Sequence, residues 1–178
     1  MGNKISAIVP MRANSERVKD KNVRLFDGVP LYHYILNTLI DCKIFENVII
    51  DTNVEEIKVD APQEFPLVKI IDRPKELTAG EESMNNVLHN SLQQIDSEFV
   101  LQTHSTNPLL KKNTILEAIK SFYAYYPDND SLFSVTNTQG RFWNHESKPI
   151  NHNLGELIRT QDLESMYFEN SSIYIFNR

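Results

Sequence analysis

The chain has 178 residues, 40% of them hydrophobic, which suffices for one sizeable core and argues for a single α/β-sized domain. Its 24 acidic against 18 basic side chains give a net charge of −6, which argues against a general binder of nucleic acid or of anionic membranes. A single cysteine, Cys42, cannot form an internal disulfide, and no Cys/His cluster has zinc spacing, so a reducing, cytoplasmic setting is the expectation. No apolar run approaches the roughly 20 residues that span a bilayer, and no signal peptide is evident.

The predicted elements alternate. "KISAIVPM", residues 4–11, is rich in branched side chains and reads as a central strand ending at Pro10. The polar stretch after it holds Arg12, Arg17, Lys19 and Lys21 with Asn14, Ser15 and Asn22, and no glycine. Over 28–45, Leu31, Ile35, Leu36, Leu39 and Ile40 fall at helical spacing, with Pro30 suited to the first turn. "ENVIIDTN" reads as the second strand, and "PLVKIIDRP" as a third that ends at Arg73-Pro74.

In "EESMNNVLHNSLQQI", Met84, Val87, Leu88, Leu92 and Ile95 share a helical face. "SEFVLQTHS" is a further strand leading to a loop closed by Pro108. "NTILEAIKSFYAYY" is a helix with Asn113 as its expected cap, and "SLFSVTN" is the next strand. Residues 138–166 break the rhythm: they are polar, rich in Asn and His, and read as an arm or lid outside the sheet. "SSIYIF" closes the pattern as a β-rich run.

Strand-helix alternation predicts a mostly parallel sheet with right-handed crossovers. Such sheets bind ligands at the carboxyl ends of their strands, so the segments after Pro10, Ile71 and Leu101 are expected to converge on one cleft. Several cations in the first of these segments can face one anion, and a triphosphate is such an anion. Arginine offers forked donors and lysine a point charge. The alternative is a solvated loop whose cations pair with Glu16 and Asp20. No P-loop or dinucleotide glycine fingerprint is present.

"IVPMRANSERVKDKN" is similar to the nucleotide-binding signature of the CMP-sugar synthetases, the acylneuraminate cytidylyltransferase family. In the same order follow "DRPKELTAGEES", resembling the family's Arg-Pro segment with a downstream serine, and "LQTHSTNPLL", resembling its Gln-Thr-Ser-Pro-Leu strand end with a longer loop. "RTQDLESMYFENSSIYIF" resembles the Arg-x-Gln-Asp and Glu-Asn-Gly-Ser stretch of animal-type members. These four segments cover the chain from end to end.

The resemblance implies a Rossmann-like three-layer nucleotidyltransferase fold of the glycosyltransferase-A-like kind. It implies transfer of CMP from CTP to the anomeric hydroxyl of a nonulosonic, sialic-acid-like sugar acid, with release of pyrophosphate. Arg12 and Lys21 would be the catalytic cations, binding phosphate and stabilising the departing charge. Ser15 and Asn22 would shape the loop, and Arg73 and Ser83 would lie near the cytidine. Gln102, Arg159, Gln161, Asp162 and Asn170 would line the sugar pocket, with Arg159 holding the carboxylate. A homodimer is the expected assembly.

Mg²⁺ is implied as cofactor. The family's metal-holding Asp-x-Asp pair has no counterpart in this sequence, and "DND" at 128–130 reads as a turn, so no metal ligand is assigned. A truncated or degenerate nucleotide-binding module without turnover is therefore the alternative. Two further departures are Ser171, where the family has glycine and a positive φ would strain serine, and Glu16, where many members carry lysine.

Overall fold

A computed structural model describes residues 4–13, 15 and 17–178; Asn14 and Glu16, named above for the cation loop, lie outside the described residues. The chain divides into two compact units, one reaching to Leu132 and resuming over Ser172–Arg178, the other Phe133–Ser171.

The larger unit is built on strand β1 (Ile5–Met11), all seven residues of which are buried. A parallel central strand covered on both faces reads as a continuous apolar run, and this one does. Ser6 is its one polar side chain, and the Ser6 and Ser97 hydroxyls lie 2.6 Å apart. Parallel neighbours flank it: β4 (Val48–Thr52) on one side, with Ile8 opposite Ile49, and β6 (Phe99–Gln102) on the other, with Ile8 opposite Gln102. Strand β5 (Val68–Asp72) extends the sheet beyond β4, again in parallel.

Strand β8 (Met166–Asn177) runs antiparallel to β6, with Tyr174 opposite Gln102, and β7 (Ser131–Thr138) pairs beyond it. The sheet order is β5-β4-β1-β6-β8-β7. The distal ends of β7 and β8 belong to the smaller unit, which also holds the 138–166 segment. A two-stranded ribbon, β2 (Leu25–Phe26) with β3 (Val29–Pro30), precedes the first helix and was not foreseen in the sequence.

Alternation along β1 sends successive side chains to opposite faces. Ile5, Ala7, Val9 and Met11 pack with Ile35, Leu36 and Leu39 of α1 (Leu31–Cys42), Ile57 of α2 (Glu55–Glu64), and Ile115, Ile119 and Phe122 of α4 (Lys112–Tyr125). Ile8 faces the other way, with Ile49, Ile71, Val100 and Ile95, against Leu88 of α3 (Met84–Leu92). Helices therefore cover both faces of the sheet, the three-layer arrangement expected. One local expectation fails: Asn113 does not cap α4. The amide of Ile115 donates to the Lys111 carbonyl at 3.3 Å, so the helix has already begun when the chain reaches Asn113.

Candidate nucleotide site

Residues from the ends of three strands meet in one cavity of about 590 Å³ in the larger unit. Pro10, Arg12, Ser15, Arg17, Lys21 and Asn22 come from β1 and the loop after it, Arg73 from the end of β5, and His104 and Thr106 from the loop after β6. Met84, at the start of α3, completes one wall. The three polar segments singled out in the sequence converge as the strand-end rule requires.

The loop holds its shape without glycine because side chains tie it at both ends. Asn22 donates its amide to the Arg12 carbonyl at 3.0 Å and accepts from the Ser105 hydroxyl at 2.6 Å. Both Asn22 and Ser105 are buried, so each bond replaces solvent that cannot reach them. The Ala13 amide donates to Asn53 Oδ1 at 2.8 Å, and the Tyr32 amide in the first turn of α1 donates to the Asn22 carbonyl at 3.1 Å. Asp20 takes a sharp corner, at φ 50°, and its carbonyl receives the amides of Val23 and Arg24. Arg12 Nη1 reaches the Ala79 carbonyl at 3.2 Å, linking the loop to the segment before α3.

The cavity is electropositive. Burial lowers the pKa of Lys21, and the guanidinium groups of Arg17 and Arg12 lower it further. Burial also lowers the pKa of His104, with the charge of Lys21 adding to it. A lysine and a histidine disfavoured as cations by burial and by neighbouring positive charge mark a site that gains when an anion enters. Among the described residues lining the cavity there is no carboxylate, and no group of three or more His, Cys, Asp or Glu is arranged to hold a metal ion.

The remaining candidates fall as follows. Ser83 is the N-cap of α3, its hydroxyl accepting from the Asn85 amide at 3.2 Å, and it is next to Met84 but is not itself on the cavity wall. Gln102 is buried at the end of β6 with its Nε2 3.4 Å from His104 Nε2. In the smaller unit, Arg159 and Asp162 form an exposed ion pair at 2.6 Å. Asn170 accepts from Ser134 Oγ at 2.7 Å and donates to Thr136 Oγ1 at 3.1 Å, and the Gln161 carbonyl accepts from Gln139 Nε2 at 2.9 Å. Ser171 has φ 56°, the left-handed backbone that the departure from glycine made a point of concern.

Three participants, Asp51, Ser91 and Ser105, were given no role by sequence reasoning. The expected candidate Arg73 is buried, and its Nε donates to Asp51 Oδ1, while Nη2 donates to the Asp51 carbonyl at 3.2 Å. Ser91 of α3 donates to the second Asp51 oxygen. Ser105 anchors Asn22, as above. A signal existed for Asp51: a lone carboxylate inside the apolar run "VIIDT" demands a buried partner.

A doubly covered, mostly parallel sheet with a cation-lined cleft at its strand ends defines an α/β protein whose cleft chemistry suits an anionic ligand. The chain belongs to the cytidylyltransferase family, whose model, described as Cytidylyltransferase, matches residues 6–178. It is 26% identical to N-acylneuraminate cytidylyltransferase A of Danio rerio over 96% of this chain and 40% of that protein. It is 25% identical to pseudaminic acid cytidylyltransferase of Campylobacter jejuni over 94% of this chain and 75% of that protein. The chain thus spans well under half the length of the first relative and three quarters of the second.

Among solved structures, a CMP:2-keto-3-deoxy-manno-octonic acid synthetase complexed with CTP superposes with a TM-score of 0.72 at 13% identity, covering 98% of this chain and 74% of that one. The 4-diphosphocytidyl-2C-methyl-D-erythritol synthase of Anaerococcus prevotii superposes at 0.66 with 16% identity, covering 99% and 72%. At these identities the likeness shows the fold.

Proposed function

We propose that the protein transfers CMP from CTP to the anomeric hydroxyl of a nonulosonic sugar acid. The observation that carries this reading is the cavity in which Arg12, Lys21 and Arg73 meet at the carboxyl ends of the strands. The relatives named for N-acylneuraminate and for pseudaminic acid support the acceptor class.

In the reaction the sugar hydroxyl gives up its proton as its oxygen bonds the α-phosphorus, and the bond to the bridging β-oxygen breaks, releasing pyrophosphate. Such chemistry depends on positioning and on charge neutralisation. Arg12 and Lys21 would take the negative charge that moves onto pyrophosphate, with Ser15 and Asn22 keeping the loop in shape around it. Arg73, with Ser83 nearby, would hold the nucleoside. By the family resemblance, Gln102, Arg159, Gln161, Asp162 and Asn170 would serve the sugar acid.

Mg²⁺, which the family resemblance implies, would supply neutralising charge to the phosphates when bound. The described lining residues offer it no carboxylate, so these side chains do not fit a magnesium site and no step is routed through the ion. That same observation favours a second reading, a nucleotide-binding module without turnover. Pyrophosphate release from CTP with Mg²⁺ and a panel of nonulosonic acids decides between them: release with one acceptor supports the transferase, and silence with every acceptor supports the module.

The cytoplasm is the proposed setting, with no role for nucleic acid or membrane. Among the described residues no helix is long and apolar enough to cross a membrane. A homodimer is the proposed assembly, supported by large apolar side chains exposed on the smaller unit, among them Trp143, Leu154, Leu157, Tyr167 and Phe168. Light scattering should return twice the monomer mass; a monomer across the micromolar range would contradict it.

A further inference from the structure

Of the cations around the cavity, Arg73 is built differently. It is 5% exposed, and its partner Asp51 is fully buried in β4. The Arg73 Nε donates to Asp51 Oδ1 and its Nη2 to the Asp51 carbonyl, so one edge of the guanidinium is committed to the strand. Ser91, itself fully buried on α3, lies 2.5 Å from Asp51 Oδ2 and 3.1 Å from the Val87 carbonyl; its single proton goes to the carboxylate, the closer and charged acceptor. The Arg73 amide also donates to the Thr52 carbonyl at 2.9 Å. Backbone and side chain are thereby both fixed, and among the described residues Nη1 has no acceptor within the protein.

Two physical consequences follow. A guanidinium clamped at Nε and Nη2 loses little rotamer freedom when a ligand meets its remaining N–H groups. A carboxylate in direct contact also cancels most of its long-range field, because a phosphate attracted by Arg73 is repelled by Asp51 at nearly the same distance. What survives the cancellation is short-range and directional: N–H groups that suit a neutral acceptor such as a base carbonyl or a ribose oxygen. Lys21 contrasts with this: it lines the cavity beside Arg12 and Arg17, and burial, with those two guanidiniums, lowers its pKa.

We infer that Asp51 and Ser91 are positioning residues that convert Arg73 into a fixed, charge-neutral hydrogen-bond fork for the nucleoside half of the nucleotide, leaving the phosphates to Arg12 and Lys21. This rests on the nucleotide reading above. It divides the cavity into a neutral, directional half and an ionic half, and it places the specificity of the first half in two side chains, Asp51 and Ser91, that are not on the cavity wall.

The test is binding of three probes, cytidine, inorganic tripolyphosphate and CTP, to the wild-type chain, Ser91→Ala, Arg73→Lys and the double variant, with thermal unfolding followed for each. Ser91→Ala is expected to weaken cytidine and CTP by a similar factor, about tenfold, and to leave tripolyphosphate within about twofold. In the Arg73→Lys background, which keeps the charge and loses the fork, Ser91→Ala is expected to cost little more, because it acts through the arginine. Unchanged cytidine binding in Ser91→Ala, an equal loss for tripolyphosphate, or additive losses in the double variant would each overturn the inference. Should Ser91→Ala not fold, Arg73→Lys alone carries the test: it must weaken cytidine more than tripolyphosphate. A wild-type chain that does not bind CTP overturns both the nucleotide reading and this inference, whereas CTP binding that Ser91→Ala leaves untouched overturns the inference alone.

Discussion

Lys21 stands in a cavity with Arg12, Arg17 and Arg73, its ammonium disfavoured by burial and by two of those neighbours. The negative charge of a bound triphosphate would offset both effects. Lys21→Met should therefore weaken CTP by about ten- to a hundredfold in a calorimetric titration while leaving cytidine little changed, the range expected for losing one charge-assisted hydrogen bond to a phosphate. His104 gives a pH signature. Its folded-state pKa lies below the ordinary value near 6.5, so as pH falls the unfolded chain takes up this proton first. The stability associated with His104 is whole above about pH 6.5 and declines as pH falls through that value towards the folded pKa. Urea melts at pH 7.5 and 5.5 should show the loss, and His104→Gln should reduce it. Legibility was uneven at this scale: Arg12 and Lys21 were evident from charge and order, whereas the roles of Asn22 as a tether and of Asp51 as a clamp depend on partners 83 and 22 residues away.

Among the elements, the legible ones were those whose burial is one-sided or complete. The β1 strand announced itself because every residue in it is apolar or small, and α1 because Leu36 and Leu39 recur on a buried face. Leu36→Ala should destabilise by about 2–5 kcal/mol in denaturant melts, the usual cost of emptying a closed core position. Helix α2 was not legible: it buries only Ile57 and Ala61, carries Pro62 inside it, and has no apolar stripe to detect. The β2-β3 ribbon has two residues per strand, too few for a period. At the end of α1, Lys43 takes φ 55° to let its amide reach the Ile40 carbonyl, a position that suits glycine. Lys43→Gly should raise stability by about 0.5–1 kcal/mol, and an unchanged or lower melting temperature would contradict that. Ser105→Ala would leave Asn22 Oδ1 buried without its donor, so a loss of about 1–3 kcal/mol is expected in the same melts.

For the molecule as a whole, the alternation of strands and helices was enough to anticipate a mostly parallel sheet and the gathering of three strand ends into one cleft. It did not reveal that β8 runs antiparallel between β6 and β7, because pairing partners are chosen by tertiary packing rather than by any local pattern. The 138–166 segment read as an arm from composition alone, and it lies within the smaller of the two compact units. On the proposed reading, side-chain cations of the larger unit grip a triphosphate while a neutral fork reads the nucleoside. Calorimetric titration of the wild-type chain with CTP, UTP, ATP and GTP, each in EDTA, tests it most directly. The account predicts that CTP binds at least tenfold tighter than the others and without added metal; equal affinity for all four, or no binding at all, would contradict it.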